Sequence, residues 1–185
     1  DLEKQGMKKL LVDLRNNPGG VLDTVVDMLD YILPDDLIIE GDKDLVRTNT
    51  EATLLVYMAD KNGKGGQEYA SDGHSLDIPL AVLVNGESAS ASEVFTGAMK
   101  DYGRATVVGT KTFGKGIVQN LIPLDNGTAI KMTTAHYYTP SGFDLHGKGI
   151  EPDVEVELKE ELKNQITVDV KEDNQIQAAL KALDK

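Results

Sequence analysis

The sequence has no cysteine, no long apolar run and no excess of positive charge. The absence of cysteine excludes disulfides, thiolate nucleophiles and cysteine-ligated zinc. The longest apolar run, 78–84, is interrupted by Pro79 and is far shorter than the roughly 20 residues that span a bilayer. A net charge of −12 leaves no electrostatic attraction for a nucleic-acid backbone. What remains is the composition of one globular domain, with 185 residues, 40% hydrophobic and 27% charged.

The charge is unevenly distributed along the chain. Residues 1–86 carry 16 acids and 8 bases, residues 87–150 carry 5 and 6, and residues 151–185 carry 10 and 5. We interpret the acidic parts as a solvated surface that keeps the protein soluble. The middle part is nearly neutral, and most of the candidate functional residues are found there.

The apolar pattern predicts two units of strand, loop and helix. Residues 8–14 are typical of a buried strand, the run 15–20 with its proline and two glycines ends it, and a helix follows as far as Pro34. Residues 78–85 predict a second buried strand, which leads through the small-residue loop 86–92 into another helix. Each loop lies at the carboxyl end of a strand, where open α/β sheets bind ligands.

The remaining segments predict further short strands and one more helix. The turn Asp125-Asn126-Gly127 is a strong hairpin signal between two of these strands. We expect short antiparallel strands within 37–72, single strands at 105–109, 117–124 and 128–138, and an amphipathic helix at 172–184. The predicted class is mixed α/β in a single domain.

The second loop contains Ser88, Ser90 and Ser92, alternating with alanine just before a helix. A serine at this position lies beside unpaired N–H groups and the positive end of the helix dipole, which can bind a phosphate, a carboxylate or a developing oxyanion. The GxSxG motif of a nucleophile elbow is absent. For any one of the three serines taken alone, capping of the helix is the simpler interpretation.

A serine nucleophile needs a base. Nothing in the sequence groups His74, His136 or His146 with a serine and an acid in a Ser-His-Asp set. A surface role is the simpler interpretation for the first of these, in a polar loop, and for the other two no role is indicated.

The alternative base is Lys115, which lies between two glycines in the neutral part of the chain. Keeping a lysine uncharged at pH 7 costs about 4–5 kcal/mol, because its ordinary pKa is near 10.4. Burial without an acidic neighbour can lower the pKa by several units, and residues 105–124 contain no Asp or Glu. Gln119 is a neutral neighbour that could orient the amine.

Three segments together resemble the carboxyl-terminal processing proteases, peptidase family S41. They are LVDLRNNPGG (11–20), the stretch 82–119 with SASASE and KTFGKGIVQ, and YYTPSGFDLHGKGIEPD (137–153). They stand in the family's order and cover nearly the whole chain. The resemblance implies an α/β fold similar to the ClpP/crotonase core, with mixed sheets and helices that follow the glycine and serine loops. It also implies a serine endopeptidase that cuts proteins near their C-termini through an acyl-enzyme, without metal or cofactor.

The resemblance also assigns roles by motif. It implies that Ser90 is the nucleophile, that Lys115 is the general base and that Gln119 hydrogen-bonds and orients the lysine. The backbone amides of Ala91 and Gly20 would form the oxyanion hole, with the glycine that precedes Gly20 as the alternative donor. The two serines that flank Ser90 are predicted to cap the helix.

Family members carry a PDZ domain upstream of the LxLRxNxGG motif, which captures the C-terminal carboxylate of the substrate by strand addition. Only ten residues precede the motif here. The resemblance therefore implies that 1–185 is the protease core, that 154–185 is an acidic extension of it and that the PDZ domain lies outside. We expect this core to fold but to have weak or no activity on native substrates. Implied partners are protein C-termini, the PDZ domain and, in an oligomer, further copies of the chain. The implied location is extracytoplasmic: periplasmic, cell-envelope or secreted.

Two other functions fit the same loops. A non-catalytic core could hold a peptide carboxylate or another anion, in which case Lys115 would titrate near 10 and Ser90 would ignore electrophiles. A crotonase-like acyl-CoA enzyme would also use an oxyanion hole of backbone amides, but it leaves Lys115 and Gln119 without a role.

Overall fold

The computed structural model describes residues 1–39, 52–73, 75–163, 165 and 168–184. The strands are β1 (Leu10–Asp13), β2 (Leu54–Ala59), β3 (Gln67–Ala70), β4 (Leu80–Val84), β5 (Thr106–Gly109), β6 (Ile117–Pro123), β7 (Ala129–Tyr138) and β8 (Val154–Glu155). The helices are α1 (Leu22–Ile32), α2 (Ala91–Asp101) and α3 (Asn174–Ala182), with a 3₁₀ turn at Glu160–Leu162. The mixed α/β class expected from the sequence is confirmed. No helix in the described ranges is long and apolar enough to cross a membrane.

The first sheet is parallel, in the order β1-β4-β5-β8. Its central strand β4 is buried along its whole length, as expected for a parallel strand that is covered on both faces. Successive side chains point to opposite faces. Val82 and Val84 therefore belong to the core formed with α1 and α2, whereas Ala81 and Leu83 pack against α3.

The second sheet is antiparallel, in the order β3-β2-β7-β6. Only residues 136–138 of β7 pair with β2, so most of β7 and its partner β6 extend beyond the sheet as a two-stranded ribbon. The ribbon turns at Gly127, whose φ of +80° fits the predicted hairpin. Within 37–72, where the sequence predicts short antiparallel strands, residues 40–51 lie outside the described residues.

The parallel pairing of β1 with β4 positions the candidate site. Because the two strands are neighbours and run the same way, the glycine loop after β1 (residues 14–21) and the serine loop after β4 (residues 85–90) leave the sheet at the same edge. The hydrogen bond from the Leu14 amide to the Leu83 carbonyl, 2.9 Å long, continues the pairing into the first loop. Each loop then enters a helix, as the sequence predicts.

Candidate active site

Ser90 is the residue immediately before α2 and is half-buried. Its φ of +57° and ψ of −121° lie outside the conformations that residues other than glycine ordinarily adopt. Such backbone strain costs on the order of 1–3 kcal/mol and persists only where neighbouring groups hold the residue. The Ser90 amide is held by a hydrogen bond of 3.0 Å to Oε2 of Glu93, one turn into the helix.

The serines on either side of Ser90 join the two loops. The hydroxyl of Ser88, which is fully buried, donates to the carbonyl of Leu14 at 2.7 Å. The hydroxyl of Ser92 donates to the carbonyl of Asn17 at 3.0 Å. The prediction that both serines cap the helix is therefore wrong, because their hydroxyls fasten the glycine loop to the serine loop and to the first turn of α2.

Gly19 brings the glycine loop into contact with the serine loop. Its φ is +94°, and a Cβ added to it would lie 2.8 Å from Ser90 Cβ and 2.8 Å from the Ala91 nitrogen. The Gly19 amide donates to Oδ1 of Asn17 at 2.9 Å. The amides of Gly20 and Ala91, by contrast, have no acceptor among the described residues. Two free N–H groups therefore lie on either side of the contact between the loops.

Lys115 lies in the segment between β5 and β6 and is half-buried. Its amide donates to Oε2 of Glu93 at 2.7 Å, which is the oxygen that also accepts from the Ser90 amide. The two amide nitrogens are thus no farther apart than the sum of 2.7 and 3.0 Å. The Lys115 side chain makes no hydrogen bond or ion pair with any residue that the structure describes.

The sequence analysis missed Glu93. Its carboxyl group is completely buried, and its Oε1 accepts from the hydroxyl of Thr112 at 2.6 Å and from the amide of Gly114 at 2.7 Å. The search for acids was confined to 105–124, whereas this acid comes from α2. The signal that could have found it is the spacing of Ser90 and Glu93, which matches the S-x-x-E capping box at the start of a helix.

Gln119 lies in β6 and is exposed. Its amide nitrogen is 3.5 Å from the hydroxyl oxygen of Thr133 on β7, and no hydrogen bond joins it to Lys115 within the described residues. Its assignment as the residue that orients the lysine stays a prediction.

Neither of the two described histidines forms a hydrogen bond with Ser90. Nδ1 of His136 on β7 lies 3.2 Å from Oδ2 of Asp144, and the His146 ring packs edge-on against that of His136. His74 lies outside the described residues. Among the described residues, no three His, Asp or Glu side chains come together in a group that could hold a metal ion.

An apolar cavity of about 200 Å³ opens beside the two free amides. It is lined by both loops, α1 and the start of α2, through Leu14, Asn17, Gly19, Gly20, Val21, Thr24, Val25, Met28, Ala91, Ser92 and Phe95. Its lining is mostly apolar, so it suits an uncharged side chain of moderate size.

Arg15 joins the glycine loop to the C-terminal helix. Its guanidinium donates to Asp13 at 2.7 Å, to Asp173 at 2.8 Å and to Gln175 at 2.9 Å. Burial acts to lower the pKa of Arg15, but the hydrogen bonds and charges of Asp13 and Asp173 outweigh it, and the pKa is raised. The other oxygen of Asp173 caps α3 by accepting from the first amides of the helix.

Comparison with known proteins places this chain in a family. The model of peptidase family S41 matches residues 1–156. The chain is 43% identical over 157 residues to a probable CtpA-like serine protease of Staphylococcus epidermidis, and 42% identical over 158 residues to one of Staphylococcus aureus. Each match covers 83% of this chain and 28% of the relative, so the chain spans less than a third of these relatives.

Solved structures show the same similarity. The photosystem II D1 C-terminal processing protease is 36% identical, with a TM-score of 0.69 over 84% of this chain and 36% of that one. A protein described as a putative S41 protease of Bacteroides fragilis has a TM-score of 0.72 over 100% of this chain and 46% of that one. At 18% identity, the second match shows the fold alone.

Proposed function

This chain belongs to peptidase family S41, and we propose that it is a serine endopeptidase core in which Ser90 is the nucleophile and Lys115 the general base. The observation that carries the proposal is the shared acceptor: the amides of Ser90 and Lys115 donate to one oxygen of Glu93. This contact holds together two residues that are 25 positions apart in the sequence.

The first step we propose is acylation. Nζ of neutral Lys115 takes the proton of the Ser90 hydroxyl while Oγ forms a bond to the carbonyl carbon of the substrate. The carbonyl oxygen becomes an oxyanion, which the free amides of Ala91 and Gly20 stabilise. Gly20 is preferred to Gly19 as a donor because the Gly19 amide already donates to Asn17.

Release of the products completes the cycle. The tetrahedral intermediate collapses, the peptide C–N bond breaks, and the leaving amine takes the proton from Lys115. Lys115 then removes a proton from water as the water oxygen attacks the ester carbon; the bond from that carbon to Ser90 Oγ breaks, Lys115 returns the proton to Oγ, and the new C-terminal carboxyl group leaves. The Lys115 side chain makes no hydrogen bond or ion pair among the described residues, so no partner has to be displaced before Nζ can reach Ser90. We assign to Gln119 the orientation of this amine when substrate is bound.

The substrate that we propose is a protein cut near its C-terminus. The apolar cavity beside Gly20 and Ala91 suits the side chain that precedes the scissile bond, because that side chain is attached next to the carbonyl that the two amides bind. We further propose that the whole protein contains a PDZ domain that captures the substrate C-terminus, that copies of the protein can associate, and that it acts outside the cytoplasm.

Labelling with a fluorophosphonate, followed by peptide mapping, tests the proposed nucleophile and base. We expect the adduct on Ser90 and its loss in both Ser90→Ala and Lys115→Ala. Two control variants remove an exposed residue of the same type. Ser75→Ala removes an exposed serine, and Lys111→Ala removes an exposed lysine that lies in the same β5–β6 connection as Lys115 and pairs with Glu151. Both should label like the wild type. An adduct on another serine, or undiminished labelling of Lys115→Ala, would contradict the proposal.

A second candidate function rests on the same free amides. The N–H groups of Gly20 and Ala91 could hold a peptide carboxylate without any reaction. This non-catalytic core would bind a short peptide equally well with or without Ser90, and it would not react with the fluorophosphonate. The labelling experiment therefore separates the two functions.

A further inference from the structure

We propose that Glu93 is a positioning residue that sets the distance between the nucleophile and the base. This inference rests on the proposed function and deepens it. Glu93 does not touch the reacting atoms; it acts through the backbone of the two residues that do. The contacts of its two carboxyl oxygens, its complete burial and the sequence distance between its partners support this role.

Each oxygen of the Glu93 carboxyl group accepts two hydrogen bonds. Oε2 accepts from the amides of Ser90 and Lys115, at 3.0 and 2.7 Å, and Oε1 accepts from Thr112 and Gly114, at 2.6 and 2.7 Å. One rigid planar group thus fixes one residue of the serine loop and three residues of the lysine segment, the connection between β5 and β6 (residues 110–116). Any shift of the lysine segment relative to the serine loop must break at least one of these bonds.

The contacts extend beyond what helix capping requires. A capping box consists of two bonds, from the Ser90 amide to the Glu93 side chain and from the Glu93 amide to the Ser90 side chain, and both are present here. The partners Gly114 and Lys115 lie 21 and 22 residues farther along the chain and contribute nothing to the start of α2. Burying a carboxyl group is costly unless its oxygens are paired, and here the lysine segment supplies most of the donors.

Only a carboxyl group that accepts at both oxygens matches these partners. Glutamine has one acceptor oxygen, and its NH₂ group would face donors whichever way the amide is turned. Turned one way, it leaves the amides of Ser90 and Lys115 without an acceptor; turned the other way, it faces the amide of Gly114. In either orientation at least one backbone amide loses its acceptor: the amides of Ser90 and Lys115 in the first case, and the amide of Gly114 in the second. The lysine segment must then move. A displacement of about 1 Å at a reacting group can cost roughly 100-fold in rate.

The test compares Glu93→Gln with two further variants of this chain. Glu93→Asp keeps the carboxylate but is one methylene shorter, so we expect an intermediate effect. Glu87→Gln makes the same chemical change on an exposed glutamate of the serine loop, and we expect no effect. The first readout is the rate of fluorophosphonate labelling at Ser90 as a function of pH. The second is hydrogen exchange at the amides of Ser90 and Lys115, referenced to the amides of β4.

We expect Glu93→Gln to label about 100-fold more slowly than the wild type. We also expect faster exchange at Ser90, Gly114 and Lys115 while β4 stays protected. A folded Glu93→Gln chain that labels at the wild-type rate and pH dependence, or that keeps full protection at both amides, would overturn the proposal. If Glu93→Gln does not fold, Glu93→Asp is judged by the same criteria. A wild-type chain that does not label refutes the proposed function, and the exchange comparison then decides the positioning role by itself.

Discussion

Replacing Gly19 with alanine should damage both the stability and the reactivity of the protein. The new Cβ would lie 2.6 Å from the Ala89 carbonyl oxygen and 2.8 Å from Ser90 Cβ, and the φ of +94° is strained for any residue with a side chain. The strain costs about 1–3 kcal/mol and the overpacking another 1–3 kcal/mol. We therefore expect the free energy of unfolding to fall by about 2–6 kcal/mol. The fall is smaller if the two loops move apart, because that movement relieves the overpacking.

The neighbouring glycine provides a matched control. A Cβ on Gly20 would meet no atom within 4 Å, and its φ is not in the left-handed region. Gly20→Ala should therefore leave stability unchanged or raise it by up to about 1 kcal/mol, because alanine restricts the unfolded chain. Urea unfolding measures both variants, and fluorophosphonate labelling shows whether the loops still meet. Equal stability and equal labelling of the two variants would refute the claim that Gly19 forms the contact between the loops.

Further predictions concern the C-terminal helix, the pH dependence of stability and the apolar cavity. Asp173→Asn keeps a helix cap but removes the buried charge opposite Arg15, and we expect the free energy of unfolding measured in urea to fall by about 1–3 kcal/mol. The control is Asp184→Asn, which removes an exposed carboxylate that pairs with Lys9 and should leave the free energy of unfolding almost unchanged. Burial raises the pKa of Tyr137 above its ordinary value of 10.0, so its contribution to stability is complete below about pH 10 and is lost as the pH rises through the folded-state pKa. As the pH rises above about 10, the free energy of unfolding should fall less for Tyr137→Phe than for the wild type, because phenylalanine has no hydroxyl to ionise. An equal fall in the two proteins would contradict this. Met28→Ala enlarges the cavity and should shift cleavage of a peptide library towards larger apolar residues before the cut; an unchanged preference would exclude this cavity as the binding site of that side chain.

Much of the fold could be predicted from local pattern. Both β1 and β4 have the continuous apolar runs of parallel strands, and the glycine and serine loops end them where the chain turns into α1 and α2. The prediction that both strands are buried is correct for β4 but wrong for β1, which is the edge strand and only half-buried. The hairpin at Gly127 is likewise specified by a few neighbouring residues. The division of the strands into two sheets was not predicted, because it depends on pairings between residues far apart in the sequence.

The candidate site shows the same limit. The position of Ser90 at the start of a helix follows from the spacing of apolar residues after it. The hydroxyls of Ser88 and Ser92 were predicted to cap that helix, but both bind carbonyls of a loop more than 70 residues earlier. The role of Glu93 depends on a segment about 20 residues later. Such partners are chosen by the tertiary fold, and local sequence cannot identify them.

The crystal structure of the chain after reaction with a phosphonate would test the central claim most directly. We predict that phosphorus is bonded to Oγ of Ser90 and that the phosphoryl oxygen lies about 2.7–3.1 Å from the amide nitrogens of both Gly20 and Ala91. We also predict Nζ of Lys115 within about 3.2 Å of the Ser90 oxygen. A phosphoryl oxygen directed to solvent, with Lys115 turned away from Ser90, would contradict the account.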